Sequence, residues 1–255
     1  MAHALRTARA RRAVVALAAL ARPRPVVGAV PPSGVVNARL TELYDYDELR
    51  TEHDATFYVV HPERATLVLG STQSTDLLNP EHLEGVPLRR RRGGGGLVLV
   101  QPGDLWIDWW IPASDDRWRS DVHASSRMVG QWWADVLSDF VAGDITVHDG
   151  ALEGDPAYRL VCFAGRGPGE VFVDGKKAVG VTQWRVREGV FLSTVMPAYS
   201  SQDVLGYLNE VPEGLDRALE HRVFSSLTDA TPETLIEALH RSSGPWQYRA
   251  LSLHA

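Results

Sequence analysis

The order of apolar and polar side chains divides the chain into short strands followed by helices. Residues 56–60 and 65–70 are rich in β-branched and aromatic side chains and read as two strands joined at His61-Pro62. Residues 105–111 alternate, with Trp106, Asp108 and Trp110 on one face and Leu105, Ile107, Trp109 and Ile111 on the other. From a cap at Ser120 or Asp121 to about residue 141, Val122, Val129, Trp133, Val136 and Phe140 recur at helical spacing and form an apolar stripe. Residues 158–163 and 190–196 read as further strands. Residues 170–173 form a shorter one that turns back at Asp174-Gly175, a pair suited to a two-residue hairpin. Beyond Pro197 the pattern becomes helical over 202–208 and 215–227, and a last helix has Thr231 as cap, Pro232 at its first position and Gly244-Pro245 as its stop. Residues 35–50 are weakly helical, and residues 143–156 read as a loop. Strands outnumber helices and tight turns join them, so the expected class is α+β, a mostly antiparallel mixed sheet flanked by helices.

Composition sharpens this picture. With 255 residues, 44% of them apolar, and eight tryptophans, the chain can bury a sizeable core. Its net charge of −6 is unevenly spread, because residues 1–34 hold six arginines and no acid. That segment is expected to be a disordered or leader-like extension, leaving 35–255 as the working domain; its eight-residue apolar run is too short to span a bilayer. The acidic remainder argues against nucleic acid as a partner, since phosphate-backbone binding needs a broad basic surface. The single cysteine, Cys162, cannot form an intramolecular disulfide and suits a reducing, cytoplasmic setting.

Two local features carry candidate chemistry. Four arginines, Arg89 to Arg92, run directly into four glycines, Gly93 to Gly96, with apolar residues on either side, so the glycines read as a tight connection between two strands. Such a loop can turn successive backbone N–H groups into one concavity that attracts anions, and guanidinium groups beside it add charged donors. It is neither a P-loop nor a dinucleotide fingerprint, because a strand follows the glycines where those motifs need a helix. The second feature is lysine usage: the only two lysines, Lys176 and Lys177, stand side by side after the Asp174-Gly175 turn. Adjacent strand residues face opposite ways, so one of the two can face a site while the other meets solvent.

VLGSTQ (residues 68–73), RRRRGGGG (89–96) and DGKKAVGVTQ (174–183), in that order, make the chain resemble the lipoate–protein ligase and octanoyltransferase family over about residues 67–208. The resemblance implies the biotinyl/lipoyl transferase-like, class II synthetase-like fold. It also implies transfer of a lipoyl or octanoyl group to a lysine of a lipoyl-carrier domain, as found in 2-oxoacid dehydrogenase and glycine cleavage proteins. Arg90, Arg91, Gly94, Gly95 and Gly96 match the family's Arg/Gly stretch, Gly70 and Gln73 its Gly-x-x-Gln strand end, and Lys177 and Gly180 its lysine segment. Lys177 thereby corresponds to the lysine that contacts the activated acyl group. The acyl donor implied is an acyl carrier protein thioester, or free lipoate with ATP and magnesium in a ligase; no resident metal or membrane is implied.

Several positions depart from the family pattern. Gly93 stands where a Ser or Thr is usual, Val100 and Gln101 replace a His-Asp pair, and Asp108 and Thr182 replace small residues. Gly169-Glu170 stands for an Asn-Asp pair, which leaves Glu170 as the acid available for nucleotide or magnesium contacts. Cys162, in Cys-Phe-Ala fifteen positions before Lys177, resembles the nucleophile of cysteine-dependent transferases and would accept the acyl group as a thioester, helped by Lys177; a cysteine in an apolar strand is otherwise a small buried hydrophobe. Acyl transfer without ATP is the favoured expectation, with an ATP-dependent lipoate–protein ligase and a non-catalytic lipoate or acyl binder as alternatives. A biotin-attaching enzyme is disfavoured by the absence of a Gly-Arg-Gly-Arg loop.

Overall fold

A computed structural model of the chain describes residues 40–198, 200–222 and 231–253. The extension expected at 1–34 lies outside the described residues, as does the end of the helix expected over 215–227. The described residues form an α+β fold of two mixed sheets flanked by helices. In chain order the elements are β1 (Thr41–Glu42), α1 (Tyr46–Leu49), β2 (Thr56–Pro62), β3 (Thr66–Leu69), β4 (Leu88–Arg90), β5 (Val98–Val100), β6 (Leu105–Pro112), α2 (Val122–Leu137) and β7 (Ile145–Val147). There follow β8 (Val171–Val173), β9 (Lys176–Val186), β10 (Gly189–Met196), α3 (Leu215–Arg222), α4 (Pro232–Ser242) and β11 (Gln247–Leu253).

The larger sheet runs β11-β2-β6-β10-β9-β8-β7, and the smaller β1-β4-β3-β5. Strand β6 lies inside this sheet between β2 and β10, and all eight of its residues are buried because both of its faces are covered. Leu105, Ile107, Trp109 and Ile111 pack against Val129, Trp133 and Leu137 of α2 and Leu235 and Leu239 of α4. Trp106 and Trp110, on the other face, join Tyr58 and Phe191 and meet Val68 and Val100 of the smaller sheet. The alternation in residues 105–111 thus separates two cores. α2 is seated by Asp121, whose carboxylate accepts the Ala124 N–H at 2.6 Å, and by Trp133, whose indole donates to Thr194 Oγ1 at 2.9 Å. Val122, placed in the apolar stripe by its spacing, is 47% exposed at the first helical position.

The structure differs from the sequence expectation in several places. Residues 56–70 contribute strands to two different sheets, and β2 continues through Pro62. The Arg/Gly stretch does not join paired strands: β4 and β5 lie on opposite sides of β3, so the glycines carry the chain across the end of that strand. Residues 158–163 form no strand; Asp155 caps a 3₁₀ turn over Pro156–Leu160, and a second follows over Cys162–Ala164. A proline at the first turn and an Asp cap favour that compact geometry over extension. Residues 202–208 are likewise a 3₁₀ segment, Ser201–Tyr207, and the described part of the span expected to be helical over 35–50 holds the two-residue strand β1 and the one-turn α1 capped by Asp45. The loop expected over 143–156 contains β7, and after Gly244-Pro245 the chain adds β11, parallel to β2. Among the described residues no helix is long and apolar enough to cross a membrane.

Candidate active site

The glycine run is held from behind by the arginines that precede it. Arg90 Nη1 donates to the carbonyls of Gly70, Ser71 and Gln73 at 3.2, 3.2 and 2.6 Å. Arg91, 5% exposed, donates from Nε to Gly94 O at 2.9 Å and from Nη2 to Gly96 O at 2.7 Å. Arg92 points outward to Glu42 and Asp47, and Arg89 bonds Thr41 Oγ1. The guanidinium groups, which the sequence offered as direct anion ligands, thus hold main-chain carbonyls, a threonine hydroxyl or surface acids. The Gly94 and Gly96 carbonyls face Arg91. The N–H groups of Gly94, Gly95 and Gly96 have no acceptor among the described residues, and these three residues wall a cavity. Free N–H donors on a loop stiffened by buried charge suit an anionic or carbonyl oxygen.

Gly70 and Gln73 lock this loop to its neighbours. A Cβ on Gly70 would lie 1.9 Å from Gly95 O, and Gly95 itself has φ +96°, so both positions require glycine. The Gln73 amide bridges the strand end to the 3₁₀ turn, with Oε1 accepting from Gly70 N at 3.0 Å and Nε2 donating to Leu160 O at 3.0 Å.

Lys177 reaches the same cavity through an irregularity in β9. The Asp174-Gly175 turn, with φ 50° and 75°, is the tight hairpin the sequence predicts. Immediately after it, Phe172 pairs with Lys177 but Val171 pairs with Val179, so Ala178 is an extra residue, a β-bulge. Ala178 and Val179 both enter the core under α2, and Lys177 comes to share the opposite face with Gly180 and Thr182. Lys176 is exposed, whereas Lys177 is 1% exposed.

The Lys177 ammonium donates to Glu170 Oε2 and to Cys162 O, both at 2.7 Å, and lies 5.3 Å from the Phe163 ring centre. Two of its three donor directions are thereby occupied. Burial pushes the Glu170 carboxyl up, while Lys177 and the Gly167 N–H, 2.6 Å away, favour its charged form. The pair spans seven residues of sequence and closes the β8–β9 hairpin from inside, a relation the sequence hints at only through the position of Glu170.

Two cavities meet here. A polar chamber of about 230 Å³ is lined by Gly94–Gly96, Arg159, Cys162, Glu170 and Lys177. A narrow apolar slot of about 30 Å³ runs between the sheets, lined by Val68, Val98, Val100, Trp106, Phe163, Gly180 and Val195. Cys162, Val181 and Thr182 line both. Cys162, expected within a strand, therefore sits half-buried in a turn where the polar chamber joins the slot. A wider cavity of about 600 Å³, beside β2 and α4, contains none of the candidate residues.

The structure brings all the sequence-derived candidates together: Gly70, Gln73, Arg90 and Arg91 behind the loop, Gly94, Gly95 and Gly96 on the chamber wall, and Cys162, Glu170, Lys177 and Gly180 around the junction. The chamber suits an anion better than a bare cation, because its one carboxylate is already engaged by Lys177. Among the described residues no three His, Cys, Asp or Glu side chains converge as a metal site would require. The sequence did not reveal a polar row beside the slot. Thr182, Ser193, Asp108 and Tyr58 occupy successive paired positions on β9, β10, β6 and β2. Asp108 is fully buried, accepts from Tyr44 Oη at 2.7 Å and Trp106 Nε1 at 2.8 Å, and is pushed up to about 7 by burial against those bonds.

No curated protein matches the chain significantly. Among solved structures, lipoate-protein ligase A bound with ATP superposes with a TM-score of 0.60 at 19% identity, over 82% of each chain. The bi-partite lipoate protein ligase of Thermoplasma acidophilum, solved with its E2 lipoyl domain, gives 0.60 at 18% identity over 85% of this chain and 87% of its own. The T. acidophilum protein Ta0514 with bound lipoic acid gives 0.60 at 18% identity over 82% of each. At such identities the likeness is one of fold, but the lipoyl protein ligase A/B catalytic domain matches residues 36–239, from before β1 into α4. By that match, which takes in every element of the site, the chain belongs to the lipoyl protein ligase A/B catalytic domain family.

Proposed function

We propose that this protein attaches a lipoyl or octanoyl group to a lysine of a lipoyl-carrier domain, by acyl transfer from a thioester such as that of an acyl carrier protein. The observation that carries this reading is the meeting of a polar chamber and an apolar slot at Cys162, with Lys177 and the loop N–H groups on the polar side. The alkyl chain lies in the slot, whose side chains part to admit it. The acyl carbonyl faces the free N–H groups of Gly94–Gly96 and the remaining donor of Lys177, which stabilise negative charge developing on its oxygen. In the first half-reaction the Cys162 thiolate attacks the donor carbonyl, an Sγ–C bond forms, and the donor's C–S bond breaks to release the donor as a thiolate, which takes its proton from solvent. In the second, the neutral acceptor lysine amine attacks the enzyme thioester, an amide forms, Cys162 leaves as thiolate and the proton lost by the amine passes to solvent. A reducing, cytoplasmic setting, with carrier domains of 2-oxoacid dehydrogenase or glycine cleavage proteins as acceptors, fits this chemistry.

A second reading is ATP-dependent ligation of free lipoate, favoured by the fold shared with lipoate-protein ligase A bound with ATP. There the loop N–H groups and Lys177 would hold the phosphate of an acyl-adenylate, and Glu170 would be the chamber's own acid near a magnesium ion. One experiment separates the readings: octanoyl-carrier protein, or octanoate with ATP and magnesium, is mixed with the enzyme while intact mass and pyrophosphate are followed. A hydroxylamine-sensitive acyl adduct that is absent in Cys162→Ser supports thioester transfer. Pyrophosphate release with full activity in Cys162→Ser overturns it in favour of the ligase.

A further inference from the structure

Thr182 is the single residue common to three voids: the polar chamber, the apolar slot and a third, small cavity of about 10 Å³ bounded by Tyr44, Tyr46, Trp184 and Phe191. Slot and third cavity share only Arg91, Thr182 and Ser193 as a wall. Arg91 is fixed by the loop carbonyls it bonds, and Ser193 is engaged by Asp108 and Trp106. The Thr182 side chain is thus the part of the partition whose removal opens one void into the other. It is also tied to the glycine run, because its hydroxyl donates to Gly94 O at 2.9 Å. A Cβ on Gly93 would fall 2.6 Å from Thr182 Oγ1, so the two residues compete for one volume, which Thr182 occupies from the sheet side.

Resting on the acyl-transfer reading, we infer that Thr182 determines which acyl chains are accepted: its side chain is the partition between the slot and the aromatic cavity at the point where the slot opens from the chamber, and its hydroxyl positions the glycine loop over the reacting carbonyl. The methyl and hydroxyl have separable duties. Shape alone sets the chain's reach, so valine, nearly isosteric, preserves the partition but loses the bond to Gly94. Glycine or alanine opens the slot toward the aromatic cavity. One or two methylenes in an apolar pocket change relative kcat/KM by about tenfold or more, so the opening is readable in a chain-length profile.

The test compares wild type, Thr182→Val, Thr182→Ala, Thr182→Gly and the pair Gly93→Ser/Thr182→Gly, using saturated six- to fourteen-carbon acyl thioesters and a lipoyl-carrier domain, with thermal melts as a folding control. Expected are a shift of the optimum toward longer chains by about tenfold in relative kcat/KM for Thr182→Ala and Thr182→Gly, and an unshifted profile with lowered kcat for Thr182→Val. In the double variant the serine enters the vacated volume and draws the optimum back toward that of wild type, whereas Gly93→Ser alone collides with Thr182 and loses activity. Folded Thr182→Ala and Thr182→Gly proteins with the wild-type profile would overturn the inference. Failure of the acyl-transfer reading would show differently, as a wild-type protein that neither binds nor transfers any chain.

Discussion

Lys177 shows why a side chain's surroundings matter as much as its type. Its ammonium is buried against Glu170, and an ion pair removed from water stabilises little by itself but leaves a stranded charge when one partner is cut away. Glu170→Ala is therefore expected to lower stability by about 3–5 kcal/mol in urea melts, and Lys176→Ala, on the solvent side, by less than about 0.5 kcal/mol. Lys177→Ala and Lys177→Arg should both abolish acyl attachment, because a guanidinium does not fit where a compact ammonium bonds Glu170 and the Cys162 carbonyl. A Lys177→Arg protein with wild-type turnover would show that the lysine is only a structural counter-charge. Asp108 gives a pH signature. Its folded value, near 7, lies above the ordinary carboxylate range, so between about pH 4 and 7 the folded protein holds a proton that the unfolded chain has lost. That contribution is present at low pH and fades as pH rises through 7. The wild-type melting temperature should fall between pH 5 and 8 more steeply than that of Asp108→Asn; parallel curves would mean that the buried carboxyl does not titrate there.

The glycine run gets its shape from the elements it touches. It crosses the end of β3 close enough that Gly70 meets the Gly95 carbonyl, and Arg91 clamps its own following loop by two carbonyls. Gly70→Ala should therefore displace the loop by pushing on backbone, which cannot swing aside as a side chain can, and should cost most of the acyl transfer while the α2 core stays folded. Circular dichroism and turnover measured together check this; a fully active Gly70→Ala enzyme would mean that the loop geometry is irrelevant. Long, strongly periodic elements such as β6, α2 and α4 were legible in the sequence because their apolar spacing is set by packing on both sides. The segment around Cys162 was not. Its apolar letters fit a strand, and the turn arises from the Asp155 cap, Pro156 and the tertiary bonds of Leu97 to Leu160 and Cys162. The arginines were equally ambiguous, since a run of cations does not say whether its donors will meet a ligand or the protein's own carbonyls.

At the scale of the molecule, the motifs were legible as a set because the two sheets bring β3, the glycine loop and β9 together from positions about a hundred residues apart, a pairing that no local pattern encodes. β11 escaped notice for the opposite reason: it is a mostly exposed edge strand with little apolar alternation, and its place is defined by its partner β2. Ending the chain at residue 246 should uncover the β2 edge, lower the melting temperature by several degrees and promote self-association, visible by light scattering; a monomeric variant with unchanged melting would show the strand to be dispensable. The bulge at Ala178 bears on what this molecule tolerates over many rounds of change. Side chains alternate along a strand, so Lys177 and Gly180, three apart, would ordinarily face opposite ways, and the extra residue puts both on the side of the chamber and slot. Of the two residues between them, both buried in the core, each can be exchanged for an apolar residue of similar size, but their number cannot change. Losing or gaining one would turn the lysine into the core or the slot wall out of line, which makes the site sensitive to the count of residues at a point where it is forgiving of their identity.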